Sequence, residues 1–157
     1  MKDSRSNQPD RDDVVSILNG LIETCKDGSN GFRTAADGVE DASLKRLFAS
    51  YSEQRAQFAA ELERVVASLG GNPADTGHIV GAVHRGWINL KSAITGKDDG
   101  AIISECERGE DFAKERYQKA LENTLPADVR AAVERQYMQV KEAHDHVRSL
   151  ERTYTRK

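Results

Sequence analysis

A chain of 157 residues, with 31% charged and only 6% aromatic side chains, is long enough to bury one core without disulfides or a structural metal. Its formal net charge of -3, with both signs interspersed, gives no basic field for nucleic acid. No apolar run approaches the roughly 20 residues that a membrane-spanning helix needs, and Met1 to Asp13 lacks the apolar stretch of a secretory signal, so a cytoplasmic location is expected.

Residues 1–10 read as a disordered polar arm, and 11–157 as a single domain. A first helix is predicted from about Asp12 to Val39, where Val14, Leu18, Leu21, Cys25, Phe32, Ala36 and Val39 recur in steps of three, four or seven. Asp27-Gly28-Ser29-Asn30-Gly31 has the local chemistry of a turn, so a hairpin competes with a continuous helix. The stripe keeps its phase from Cys25 to Phe32, which a turn has no reason to preserve. A continuous helix is therefore expected, each internal Gly costing roughly 1 kcal/mol relative to Ala.

Asp41 suits the N-cap of a second helix, about Ala42 to Leu69, with the seam Leu44, Leu47, Phe48, Tyr51, Phe58, Leu62, Val65 and Leu69. Gly70-Gly71-Asn72-Pro73 ends it. A shorter helix follows from about Ile79 to Thr95, carrying Val80, Val83, Trp87, Leu90 and Ile94, and Gly96-Lys97-Asp98-Asp99-Gly100 breaks it. The next helix runs from about Ala101 to Asn123 through Ile102, Ile103, Cys106, Ala113, Tyr117, Ala120 and Leu121. Leu125-Pro126 opens the last, which reaches about Thr153 through Val129, Val133, Tyr137, Val140, Ala143, Val147 and Leu150.

No strand-like alternation competes with these helices. Tight links near Glu40 and across 124–126 pair the long helices two by two, antiparallel. The connection between the pairs holds a helix of its own, roughly 25 Å long and able to climb the side of the bundle. The fold class expected is all-α: a ferritin-like four-helix bundle with one long crossover containing an additional shorter helix.

The stretch His84-Arg85-Gly86-Trp87-Ile88-Asn89-Leu90-Lys91-Ser92, followed by Glu105-Cys106-Glu107-Arg108-Gly109-Glu110-Asp111, is distinctive in combination. With Asp27-Gly28, Gly31-Phe32, Gln54-Arg55 and Leu69-Gly70-Gly71, it resembles a family of small bacterial ferritin-like four-helix-bundle proteins of unknown function. The resemblance spans about Asp13 to Leu150 and implies that fold and a bacterial, cytosolic setting. It implies no reaction.

A ferritin-like di-metal centre draws one Glu from each of two helices and a Glu-x-x-His pair from each of the other two. Three residues before His78, His84, His144 and His146 stand Asp75, Gly81, Lys141 and Ala143, so the chain contains no Glu-x-x-His. Polar residues nevertheless interrupt several seams near mid-helix: Gln54 or Arg55 between Tyr51 and Phe58, Gly109 or Glu110 between Cys106 and Ala113, Gln136 beside Tyr137, and His144 after Val140. Two readings follow. One is a site for Fe, Mn or Zn, or for a small anion, built from Asp27, Glu110 and His144 with Glu53. The other, preferred, is a buried polar layer in which Gln54 and Arg55 pair with Glu110 to fix helix register, since a buried carboxylate needs such a partner.

Glu142 and His146, one turn apart, read as a solvated pair. His84 beside Trp87 reads as a packed indole with a hydrogen-bonded imidazole rather than a ring-lined pocket. Cys25 and Cys106 read as small apolar core residues in a reduced protein, too few for a copper-thiolate store. Gly28, Gly31 and Gly109 read as points of close helix packing. The function expected is that of a non-enzymatic bundle acting through its surface or through self-association, for instance as a dimer, in stress physiology or as an interaction module. The alternative is a divergent metal-binding or di-metal oxidase bundle.

Overall fold

The computed structural model describes residues 10–73, Trp87 and residues 89–155. They form five helices: α1 (Arg11–Gly38), α2 (Ala42–Ser68), α3 (Leu90–Thr95), α4 (Asp99–Leu121) and α5 (Ala127–Thr155). Residues 1–9 of the arm expected over 1–10, the start of the crossover helix at Ile79 and the His84 side chain lie outside the described residues. No helix among the described residues is long and apolar enough to cross a membrane.

Aspartates start three of the four long helices. Asp10 accepts the Asp12 N–H ahead of α1, Asp41 accepts those of Ser43 and Leu44 ahead of α2, and Asp98 accepts that of Gly100 ahead of α4. The last cap shortens the break expected at 96–100. Asp98 and Asp99 begin a helix rather than prolong a loop, because a carboxylate is favourable at the positive end of the helix dipole. Gly70, at φ 79°, closes α2: its N–H donates to the Ala67 carbonyl and that of Gly71 to the Val66 carbonyl, the paired bonds of a left-handed C-cap. α1 runs unbroken through Asp27–Gly31, as its stripe phase required.

Three contacts fix the topology. α1 and α2 are joined through Val39 and Asp41. The Asn19 side-chain amide donates to the Asn72 carbonyl (3.1 Å), tying the exit of α2 to the early part of α1. The Asp99 carboxylate accepts the Glu40 and Asp41 backbone N–H groups (3.0 and 3.1 Å), which holds the head of α4 against the α1–α2 link. The connection between α2 and α4 therefore joins opposite ends of the bundle, while α4 and α5 are adjacent and antiparallel. Two antiparallel pairs joined by one long connection make an all-α helical bundle.

The core has two apolar halves. One gathers α1 residues from Val14 to Cys25, α2 from Phe58 to Val66, α4 from Ala113 to Ala120, Leu125 from the link, and α5 from Val129 to Val140. The other gathers Phe32 to Val39, Leu44 and Phe48, Ile102 to Cys106, Val147, and Trp87 with Leu90 from the crossover. Every residue of the α1 stripe read from the sequence is buried. Between the halves lies a waist of buried polar side chains: Asp27 and Ser29 on α1, Ser52 and Arg55 on α2, Glu110 on α4 and His144 on α5.

Candidate functional site

Arg55 and Glu110 hold the centre of the waist. The guanidinium donates through Nη1 to Oε1 (2.5 Å) and through Nη2 to Oε2 (2.6 Å), and the two side chains are 1% and 0% exposed. This is the planar two-point pairing that arginine makes and lysine cannot. Nε donates to the Gln54 Oε1 (3.3 Å), Gln54 donates in turn to Gln139 Oε1 (3.1 Å), and the Phe32 ring lies 5.5 Å beneath the guanidinium carbon. Gly28 leaves room on α1 for the arginine stem, at 3.5 Å from the place a Cβ would take. Burial by itself would lower the Arg55 pKa; the charge and hydrogen bonds of Glu110 outweigh it and raise the pKa above its ordinary value. The preferred polar-layer pairing is thus present, and it is Arg55 rather than Gln54 that fills the step between Tyr51 and Phe58.

Beside the ion pair, Trp87 inserts its ring between α1 and α4. A Cβ on Gly31 would lie 2.4 Å from Trp87 Cδ2, and one on Gly109 would lie 2.2 Å from Cε2. Gly31 and Gly109 are therefore close-packing points, but what they admit is an indole from the crossover rather than a neighbouring helix backbone. Phe32 completes the seat, edge-on to Trp87 with centroids 5.1 Å apart.

Below the waist a hydrogen-bonded chain crosses the core. The Tyr117 hydroxyl donates to Gln136 Oε1 (2.7 Å), so its oxygen accepts from the Cys25 thiol (3.0 Å), and Gln136 Nε2 donates to Glu61 Oε1 (2.6 Å). Arg135 closes the chain on the other Glu61 oxygen. Burial pushes the Cys25 thiol up to about 11, and burial also raises Cys106 well above its usual value. Both cysteines are free and buried. A thiol-disulfide reagent at about pH 8 is expected to leave both unmodified in the folded protein and to titrate both in denaturant, because the reactive thiolate is scarce and shielded.

The four sequence-derived metal candidates go to different places. Glu110 directs both oxygens at Arg55. Asp27 is buried at the waist on α1, and Glu53 is exposed on α2. His144 is 1% exposed, but its ring faces the groove between α4 and α5. There Nε2 lies 2.5 Å from Asp111 Oδ1, and Nδ1 lies 3.1 Å from Asp145 Oδ1. Ligand atoms of Glu107, Asp111 and His144 all fall within 4.8 Å of one another, so the close set contains His144 with Glu107 and Asp111 instead of Glu110, Asp27 and Glu53. Burial, then the neighbouring Glu151 carboxylate, pushes Glu107 up to about 7, and the hydrogen bond from Glu107 holds Glu151 below the usual range. The Glu107–Asp111 pair falls outside the Glu-x-x-His pattern, which is confined to one helix, because its imidazole comes from a second helix. Its available signal was the four-residue spacing on α4, which puts both carboxylates on one face. His146 pairs with the Tyr51 hydroxyl (3.1 Å) rather than with Glu142.

The family described as domain of unknown function (DUF2383) matches residues 13–123. The chain belongs to this family. No curated protein matches it. In this DUF2383 member the matched span holds the Arg55–Glu110 pair, the Trp87 seat, Glu107 and Asp111, whereas Gln136 and His144 come from α5, beyond the span.

Proposed function

We propose that this protein is a non-enzymatic ferritin-like bundle, of bacterial and cytosolic setting, whose role is carried by its surface through association with a second copy or another protein. The observation that carries the reading is the Arg55–Glu110 pair. In a ferritin-like metal protein, inward carboxylates at mid-bundle bind cations; here a fixed guanidinium satisfies both oxygens of the central carboxylate and supplies the positive charge itself. Supporting it, every fully buried side-chain nitrogen and oxygen among the described residues has a hydrogen-bond partner, the condition of a layer that specifies packing.

The test is aerobic addition of Fe(II) to chelator-stripped, untagged protein in an oxygen electrode. Oxygen uptake no faster than in buffer is expected. Protein-dependent uptake abolished by Glu110→Gln that is folded by circular dichroism would contradict the reading, because it would place reactive metal at the centre. A second reading, a metal-binding bundle, is favoured by one observation only: the carboxylate–imidazole cluster around His144, away from that centre.

A further inference from the structure

We propose that Glu107, Asp111 and His144 form a three-ligand site for a borderline divalent cation of the Zn(II) class, set in the groove between α4 and α5. The inference goes beyond the ion-pair reading of the bundle centre and does not depend on it.

The donor set is mixed rather than merely acidic. One imidazole and two carboxylates converge with all three ligand atoms within 4.8 Å. Two ligands on a tetrahedral Zn(II) ion stand roughly 3.3 Å apart, given metal–ligand bonds of about 2.0–2.2 Å. Small side-chain rotations bring the three atoms to that spacing, with the 2.5 Å contact between His144 Nε2 and Asp111 opening to admit the ion. Imidazole nitrogen favours Zn(II) and similar ions over Mg(II) and Ca(II), which take oxygen ligands.

A second observation concerns the histidine alone. His144 is 1% exposed and aims Nε2 into the cluster, while its other nitrogen, Nδ1, meets Asp145 Oδ1 at 3.1 Å. A carboxylate behind the distal nitrogen orients a metal-binding imidazole and sets its tautomer, the arrangement that accompanies histidine ligands to zinc. The ligands therefore sit on two rigid helices, with the buried imidazole as floor and Asp111, 51% exposed, at the mouth. This leaves an open fourth position towards solvent. Glu151 adds a further carboxylate beside Glu107, and Lys141, Arg148 and Arg152 lie on the same helix as His144.

The experiment is competition between the chelator-stripped, untagged full chain and a chromophoric chelator for Zn(II), repeated with Mn(II) and Mg(II). One Zn(II) per chain is expected, with Mg(II) much weaker. His144→Ala is expected to weaken Zn(II) binding at least 100-fold, and Asp145→Asn by about 10–100-fold through lost orientation of the imidazole. Asp111→Asn, at a half-exposed position, is expected to fold normally by circular dichroism and to weaken binding, which keeps the test decisive if His144→Ala unfolds. Glu53→Ala, at an exposed position, is expected to leave Zn(II) binding unchanged, and so is Glu110→Gln under conditions where circular dichroism shows it folded. No binding at about 10 µM free Zn(II), or stoichiometric binding unaltered by Asp111→Asn, would overturn the site while leaving the ion-pair reading standing. Binding lost in Glu110→Gln that is folded by circular dichroism, but kept in Asp111→Asn, would overturn both.

Discussion

Arg55→Ala is expected to destabilise the protein by about 3–5 kcal/mol, read as a lowered urea midpoint with little change in slope. Glu110→Ala is expected to act similarly. The reason is the state each leaves behind. Removing the guanidinium strands a carboxylate that is 0% exposed, and removing the carboxylate strands a guanidinium that is 1% exposed. The stranded charge loses its attraction while still paying for desolvation, and that term exceeds the modest net worth of an intact buried pair. Arg55→Lys is expected to recover only part of the loss, because an ammonium cannot span both Glu110 oxygens in one plane and also reach Gln54. Since a domain is stable by only about 5–15 kcal/mol, either alanine variant falls close to the threshold for folding.

Gly109→Ala and Gly31→Ala are expected to destabilise by about 1–3 kcal/mol each through overpacking, the former more. Alanine within a helix normally gains roughly 1 kcal/mol over glycine. Here the added methyl group would overlap the Trp87 ring, at 2.2 Å from Gly109 and 2.4 Å from Gly31, and steric overlap reverses the usual sign. The ring cannot retreat without leaving its seat against Phe32, so the crossover must shift outward. Trp87 is the only tryptophan in the chain, and its fluorescence reports this directly. Emission is expected to move to longer wavelength in both variants as the indole, 5% exposed in the native fold, meets water. An unchanged emission maximum with unchanged stability would place Trp87 elsewhere.

The bundle was legible because its helices are long and their stripes keep phase. Cys25 and Phe32 carried α1 through glycine-rich turn chemistry, and Asp41 and Gly70 marked their helix ends. The waist was legible as a set of interruptions, but only to within one residue. A step of seven leaves two adjacent positions on nearly the same face, which is why Gln54 competed with Arg55 and Tyr137 with Gln136. Packing decides between them: Arg55 and Gln136 turn inward, Gln54 and Tyr137 sit half-buried. The occupant of the Gly31–Gly109 slot was not legible, since no local pattern tells where a crossover residue will dock. Nor was the Glu107–Asp111–His144 cluster, whose members come from two helices and meet only when α4 and α5 pair.

The central claim is that Arg55 and Glu110 act as one structural unit at the waist. It is tested most directly by a double-mutant cycle in urea using Arg55→Met, Glu110→Leu and the combined variant. Each single change is expected to cost several kcal/mol. The combined variant, which removes both charges and keeps the volume, is expected to recover to within about 1–2 kcal/mol of the parent or to exceed it. Single changes that are nearly neutral, or a combined loss equal to the sum of the two, would contradict the account.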